Sequence, residues 1–370
     1  MIVFVSNYYT HHQSSFSEAM YRLTNGEFYF ISTEPMTEER LNMGWKIENA
    51  SFVMDYDSQK EKCQQLIDSA DVVIFGSAPE SLFQTRLTAG MLTFKYSERV
   101  YKKISELCTF PVRIPRYYRK WGRFKNLYVL CAGAYASSDY ALTGTFIGKA
   151  YKWGYFPEVK EYDTEKLFAG KRESNTVSLL WAGRLIGWKH PEVAVHLADK
   201  LKKSGYSFNL NIIGNGELEQ KLKNMITKLG LNDCVYMLGS MTPGQVREHM
   251  EKSDIYLATS DRNEGWGAVL NESMNSCCAV VANRKIGSAP YLIEHEKNGF
   301  IYKDMKDLLK YVTMLIEAPE LRFRLGLAAY NTMIKTWNAE VASERLIRLA
   351  DELKKNKKCD IYEEGPCSLA

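Results

Sequence analysis

The chain has 370 residues, 45% apolar and 25% charged, with a formal charge of +4. This profile excludes a disordered chain and a general nucleic-acid binder, and the length suits two domains better than one core. Apolar runs stay short of the ~18 residues that a membrane-spanning helix needs, and the eight cysteines are scattered without C-x-x-C spacing, as for reduced thiols in a cytosolic protein.

Taken in order, MIVFVSN opens with a strand over 2–6 and carries no basic, cleavable leader pattern. Residues 7–15 read as a polar loop and 16–23 as a helix. Further strands are expected at 28–31, 72–75 and 127–131, with helices around 58–67, 92–107 and 137–151. Short apolar runs alternating with amphipathic segments imply a parallel sheet covered on both faces. Loops after its strands then form a ligand crevice. One such loop, NYYTHHQSS, holds His11 and His12, which are either solvated residues or a general base. GSAPESLFQTR follows the strand at 72–75. A third loop, CAGAYASSDY, holds Asp139 near Ser137 and Ser138, where small residues either admit a ligand or simply cap a helix.

Residues 113–126, RIPRYYRKWGRFKN, stand apart. Arg113, Arg116, Arg119, Lys120, Arg123 and Lys125 interleave with Tyr117, Tyr118, Trp121 and Phe124. On a helix, Tyr117, Trp121 and Phe124 share a face, with Arg116, Lys120 and Arg123 beside it. That pattern suits an anionic membrane surface, or else an ordinary solvated helix with a packed aromatic stripe. A single-stranded nucleic-acid platform is a third reading that nothing else in the chain supports.

Polar residues thicken across 158–175, the expected linker. A strand at 177–182 then runs into GRLIGWK, where Gly183 permits a hard turn. Arg184 and Lys189 project just ahead of a helix starting near Pro191, and two cations at a helix N-terminus make a diphosphate clamp. A strand at 209–213 ends in GNGE, with Gly214 and Gly216, and one at 236–238 closes on Gly239. Thr242 and Gln245 match a capping box with Pro243 at the first helical position, which fixes a helix to about Lys252. Strands at 255–258 and 279–282 flank a loop with Glu264, Gly265 and Gly267 and a helix over 268–276 with Glu272. Two carboxylates in this setting suit the vicinal hydroxyls of a sugar and a ribose. A short helix is expected at 291–294. Longer ones at 304–318, 319–335 and 339–355 end the fold, and the tail from 356 reads as frayed.

The ordered set GRLIGWK, IIGNGE, LGS, SDIYLATSDRNEGWGAVLNES and IGSAPYLIEHEKNGF resembles the retaining glycosyltransferases of family 4, also grouped as glycosyltransferase group 1. The resemblance spans roughly 178–337. Where that family carries a double glycine after the first strand, this chain has Gln13, Ser14 and Ser15. The resemblance implies an α/β fold of GT-B type, with two Rossmann-like domains whose parallel sheets face a central cleft. Residues 1–170 would bind the acceptor and 171–337 the nucleotide-sugar, and a helix within 338–358 would cross back to the first domain. It implies that Arg184 and Lys189 neutralise the diphosphate and that Glu264 holds the transferred sugar, with backbone amides from Gly265, Trp266, Gly267 and Ala268. Glu272 would hold the ribose. Gly183, Gly214 and Gly216 would let the backbone approach the nucleoside, and Leu238 and Gly239 would flank the base.

The expected activity is transfer of a sugar from a nucleotide-sugar, most often a UDP-sugar in that family, to a saccharide or lipid-linked acceptor in capsule or exopolysaccharide biosynthesis. No nucleophile is evident, so front-face attack is expected, with His11, His12 or Asp139 on the acceptor side. No cofactor or divalent ion is expected, on the reading that the chain carries no Asp-x-Asp metal motif. Location is expected to be cytoplasmic, peripheral at the inner membrane face. An epimerase, a phosphorylase or a non-catalytic sugar-nucleotide-binding subunit are the competing readings. A nicotinamide dehydrogenase is disfavoured because G-x-G-x-x-G is absent after the first strand.

Overall fold

Runs such as IVFV (2–5) and IYLA (255–258), apolar at every position, cannot alternate between core and solvent and so belong in sheets covered on both faces. The computed structural model describes residues 1–38, 41, 50–102, 110–172, 176–355 and 360–370. It divides the chain into two units, residues 1–158 with 336–370, and residues 159–335.

The first unit runs β1 (Ile2–Ser6), α1 (His11–Leu23), β2 (Phe28–Ser32), β3 (Val53–Asp55), α2 (Lys60–Ser69), β4 (Val72–Phe75), α3 (Gln84–Thr88), β5 (Thr93–Ser97), α4 (Phe110–Tyr117), β6 (Leu127–Ala132), α5 (Ala136–Ala141) and β7 (Ala150–Trp153). Its seven strands are parallel in the order β3-β2-β1-β4-β5-β6-β7. Several sequence expectations change here. The loop expected to reach Ser15 stops at Thr10, whose hydroxyl accepts from the His12 amide at 3.3 Å and caps α1. His11 and His12 therefore sit on the helix's first turn. The helix expected over 92–107 is instead strand β5 at its start, and residues 103–109 lie outside the described residues. The helix expected over 137–151 ends at Ala141. Gly144, Phe146 and Gly148 all take positive φ there and turn the chain into β7.

The second unit runs α6 (Thr164–Arg172), β8 (Val177–Ala182), α7 (Pro191–Lys203), β9 (Phe208–Ile213), α8 (Glu219–Lys228), β10 (Val235–Gly239), α9 (Pro243–Lys252), β11 (Ile255–Ala258), α10 (Val269–Asn275), β12 (Ala279–Asn283), α11 (Ala289–Leu292), β13 (Phe300–Tyr302), α12 (Met305–Glu317) and α13 (Pro319–Lys335). Its six parallel strands lie in the order β10-β9-β8-β11-β12-β13. Thr242 and Gln245 form the reciprocal capping box, which starts α9 at Pro243. The stretch expected as a linker carries α6, so the boundary expected at residue 170 falls inside a helix. Lys171, on that helix, is buried and donates to the carbonyls of Ser253 at 2.6 Å, Ser276 at 2.9 Å and Cys277 at 3.2 Å. Three donors meet three acceptors, so the buried ammonium is satisfied.

After the second unit, α14 (Ala339–Lys354) begins at Asn338, which caps the Val341 amide, and packs on α1, where Arg22 pairs with Glu340. The tail corrects the sequence reading. Among its described residues, Cys367 and Ser368 are buried, and Leu369 forms an antiparallel bridge with Tyr151. The tail thus adds backbone hydrogen bonds to β7, the edge of the sheet.

Candidate functional site

In the second sheet β8 and β11 are neighbours, but the chain leaving β8 turns toward β9 and the chain leaving β11 turns toward β12. Connections that diverge from two adjacent strands open a crevice at their carboxyl ends. GRLIGWKH leaves β8 at this point and TSDRNEGWGA leaves β11.

Glycines bring these loops to their places. A Cβ on Gly214, whose φ is +136°, would lie 1.9 Å from the Gly183 carbonyl oxygen, and one on Gly216 would lie 2.5 Å from that of Leu185. The Leu185 amide then donates to Asn215 O at 2.8 Å. These two glycines let the β9 loop lie against the β8 loop, a backbone requirement that stands beside any approach of a ligand. Gly239, at φ +75°, accepts from the Gly214 amide at 2.7 Å. Gly287 was not among the expected site residues, yet its Cβ would fall 1.7 Å from the Gly265 carbonyl oxygen, so side chains are excluded there too. Its sequence signal was the small-residue run IGSA.

A pocket at this crevice is walled by Trp181, Lys189, Tyr256, Thr259, Ser260 and Glu264, among others. The Trp181 indole donates to Thr259 Oγ1 at 2.8 Å, and that hydroxyl donates to Lys189 O at 2.7 Å. Ser260 Oγ donates to Glu264 Oε2 at 3.0 Å. The same oxygen pairs with Lys189 Nζ, with both side chains largely buried. Residues 75 positions apart thus meet head to head. An ammonium has three donors, so Lys189 can hold Glu264 and still offer protons to an anion. Arg184 is exposed on the loop after β8 and does not wall the pocket, with its guanidinium 5.9 Å from the Trp188 ring centre. Glu272, one turn into α10, is half-buried and does not wall the pocket. Burial raises its pKa, and nearby Arg247 partly offsets the rise.

Other expected residues lie elsewhere. The Trp266 side chain is fully buried and donates to Asn271 Oδ1 at 2.8 Å, so its indole is a core element and not a ligand contact. Leu238 is half-buried near the end of β10, and Ala268 is half-buried at the N-cap of α10. In the first unit Asp139 is 3% exposed, with one oxygen 3.5 Å from Arg99 Nη2 and the other accepting from the Tyr101 amide at 2.9 Å. It is a structural anchor rather than an acceptor base. His11 and His12 remain half-buried beyond β1, with the His12 ring 5.7 Å from that of Tyr155. Glu98, which the sequence reading did not single out, accepts from Tyr155 Oη at 2.8 Å.

Trp121 and Phe124 are buried in the core of this unit, so they are not the aromatic tips of a surface patch. Tyr117 is half-buried beside them, while Arg116 and Arg123 stay exposed and Lys120 pairs with Glu80. The sequence reading overlooked one Asp-x-Asp, Asp55 to Asp57. There Asp55 accepts from the Ser58 amide at 2.8 Å and Asp57 pairs with Lys60 at 3.3 Å, which makes it a turn.

Against known proteins, the family described as glycosyl transferases group 1 matches residues 163–332. An uncharacterized glycosyltransferase of Haemophilus influenzae is 30% identical over 158 residues, 42% of this chain and 43% of the relative. The amylovoran biosynthesis glycosyltransferase AmsK of Erwinia amylovora is 29% identical over 182 residues, 47% of this chain and 44% of the relative. The chain thus spans less than half the length of these curated relatives. The crystal structure of Anabaena Alr3699/HepE in complex with UDP aligns with a TM-score of 0.68 at 17% identity, covering 96% of this chain and 99% of that one. At that identity the likeness shows the fold, which is of GT-B type.

Proposed function

We propose, from the match of residues 163–332 to the group 1 glycosyl transferases, that the chain transfers a sugar from a nucleotide-sugar to a saccharide or lipid-linked acceptor, with retention. One observation carries this reading. Lys189 and Glu264, from two separate loops, meet in one pocket at the switch point of the second sheet. Rupture of a glycosyl–phosphate bond builds positive charge on the sugar and negative charge on the diphosphate. Lys189, Arg184 and the N-terminus of α7 answer the second, and Glu264 answers the first while it holds hydroxyls of the sugar. Glu272 takes the ribose hydroxyls. With no protein nucleophile, the departing phosphate accepts the acceptor's proton on the same face.

UDP is the first choice of nucleotide, supported by the HepE structure that was solved with it. Polysaccharide assembly is supported by the name of the Erwinia relative. His12 and His11 are the acceptor-side candidates on α1.

Thermal-shift titration with nucleoside diphosphates, followed by donor turnover, tests the reading. Lys189→Ala and Glu272→Ala should each lower turnover about 100-fold, the scale of losing one charged stabiliser. Full turnover in both variants ends the assignment.

Among the described residues no helix is long and apolar enough to cross a membrane. A peripheral contact at the inner, cytoplasmic face is part of the same proposal, with its surface redrawn. Val112 is 79% exposed and Tyr118 57%, and they lie among Arg113, Arg116, Arg119 and Lys120. No acidic residue interrupts 111–126. Each nearby cation contributes about 1 kcal/mol toward anionic lipid. Vesicles containing anionic lipid should carry the protein upward in flotation. A variant with Arg116, Lys120 and Arg123 neutralised should stay behind, and equal flotation of the two excludes the contact.

A further inference from the structure

His190 occupies a backbone position that few residues take willingly, with φ +50° and ψ +50°. Left-handed conformations strain a residue that carries a Cβ, and Asn tolerates them better than His. His190 is also the N-cap of α7, yet its side chain makes no capping bond. Instead its ring spans two carboxylates. Nδ1 lies 2.8 Å from Glu192 Oε1 on α7, and Nε2 lies 3.2 Å from Asp261 Oδ2 on the loop after β11.

Ionised carboxylates only accept hydrogen bonds, and a neutral imidazole carries one N–H. Both contacts are hydrogen bonds only when both ring nitrogens are protonated. Asp261 is itself an organiser. Its Oδ1 accepts from the Asn263 amide and side chain, both at 2.8 Å, and its carbonyl accepts from the Glu264 amide at 3.1 Å. Its own amide donates to Trp188 O at 2.9 Å. Lys189 precedes His190 directly. The ring therefore joins the segment that carries Lys189 to the segment that carries Glu264. The charged groups on the two loops and the first turn of α7 are Lys189 and Arg184 on its own loop, Glu192 on α7, and Asp261, Arg262 and Glu264 on the loop after β11.

We propose that His190 is a positioning residue whose ring clasps the two donor-site loops through Glu192 and Asp261, so that removal of the ring loosens Lys189 and Glu264 and weakens donor binding. This role rests on the donor-site reading above, and the experiment separates the two.

UDP affinity is measured by calorimetry and thermal stability by melting in wild type, His190→Asn, Asp261→Asn and the double variant. Asn suits the left-handed backbone, so His190→Asn removes the ring without adding strain. The clasp requires each single variant to bind UDP about fivefold more weakly, the low end of ordinary coupling between sites, and the double variant to lose no more than one single variant does, because both break the same contact. Unchanged UDP affinity in His190→Asn, or losses that add in the double variant, overturns the proposal. If wild type binds no UDP, the donor reading fails, and the same cycle on thermal stability alone decides the clasp.

Discussion

At the scale of single residues, the site is a set of charges held by neutral partners. Lys189 and Glu264 lie close because Thr259, Trp181 and Ser260 tie the loop backbones and the carboxylate in place. A buried ion pair gains little net stability from its charges, since desolvation opposes the attraction, and this one is placed where a ligand can share it. Glu272 has the opposite character. Burial raises its pKa above the ordinary 4.5, with Arg247 opposing. A carboxyl whose folded pKa is raised costs the fold stability once ionised. That cost is absent below the unfolded value and complete above the raised one. Glu272→Gln should therefore keep or raise the melting temperature at neutral pH. It should also weaken UDP binding about 10- to 100-fold, the worth of a charge-assisted hydrogen bond. In wild type, UDP affinity should fall as pH drops through the raised value, earlier than for an ordinary glutamate. Calorimetry against pH in both proteins checks this, and an acid limb retained by Glu272→Gln assigns the titration to another group.

At the scale of elements, the second unit was the more legible half, and the reason is local chemistry. Thr242, Pro243 and Gln245 spell the start of α9, and Pro319 and Asn338 mark helix starts just as directly. Strand β11 is a uniform apolar run and β8 is one but for Ser178, and both were read with the right bounds. In the first unit β3, β5 and β7 escaped notice. Each is short, and β5 carries Lys95 and Tyr96 beside its buried Thr93 and Phe94, so neither a period of two nor an apolar run stands out. Their strand state comes from parallel neighbours distant in sequence, such as Thr93 against Leu127, which no local window contains. The site was legible in part for the same reason. Lys189 and Glu264 are polar residues after apolar strands, a local signal. Trp266 looked like a loop aromatic, and only the packed structure shows its indole sealed against Asn271 and Tyr291. Gly287 is required by the carbonyl of Gly265, a contact across two loops.

At the scale of the whole molecule, each sheet has its own hydrophobic core, and the chain's last residues serve the first. Lys152 N donates to Ser368 O at 2.7 Å, Cys367 N to Lys152 O at 2.8 Å and Ala370 N to Ala150 O at 3.0 Å. Cys367 is buried beneath this bridge, and burial holds its thiol neutral by driving its pKa up. Gly365 makes the entry turn at φ +87°, where a Cβ would strike Thr336 and Arg345. An uncovered β7 would present a row of unpaired backbone groups to other chains. Removal of residues 360–370 should therefore cost the first unit about 2–3 kcal/mol. Three hydrogen bonds contribute about 1 kcal/mol each and the buried thiol adds to them, while the freed chain regains entropy. The loss belongs to one unit, so calorimetry should resolve a transition that moves down in the truncated protein and a second, raised by UDP, that does not. Truncation that shifts both transitions equally, or neither, defeats the argument that the tail acts as an eighth, local strand of the first sheet. The truncated protein should also associate at high concentration through its bared edge, which light scattering reads directly.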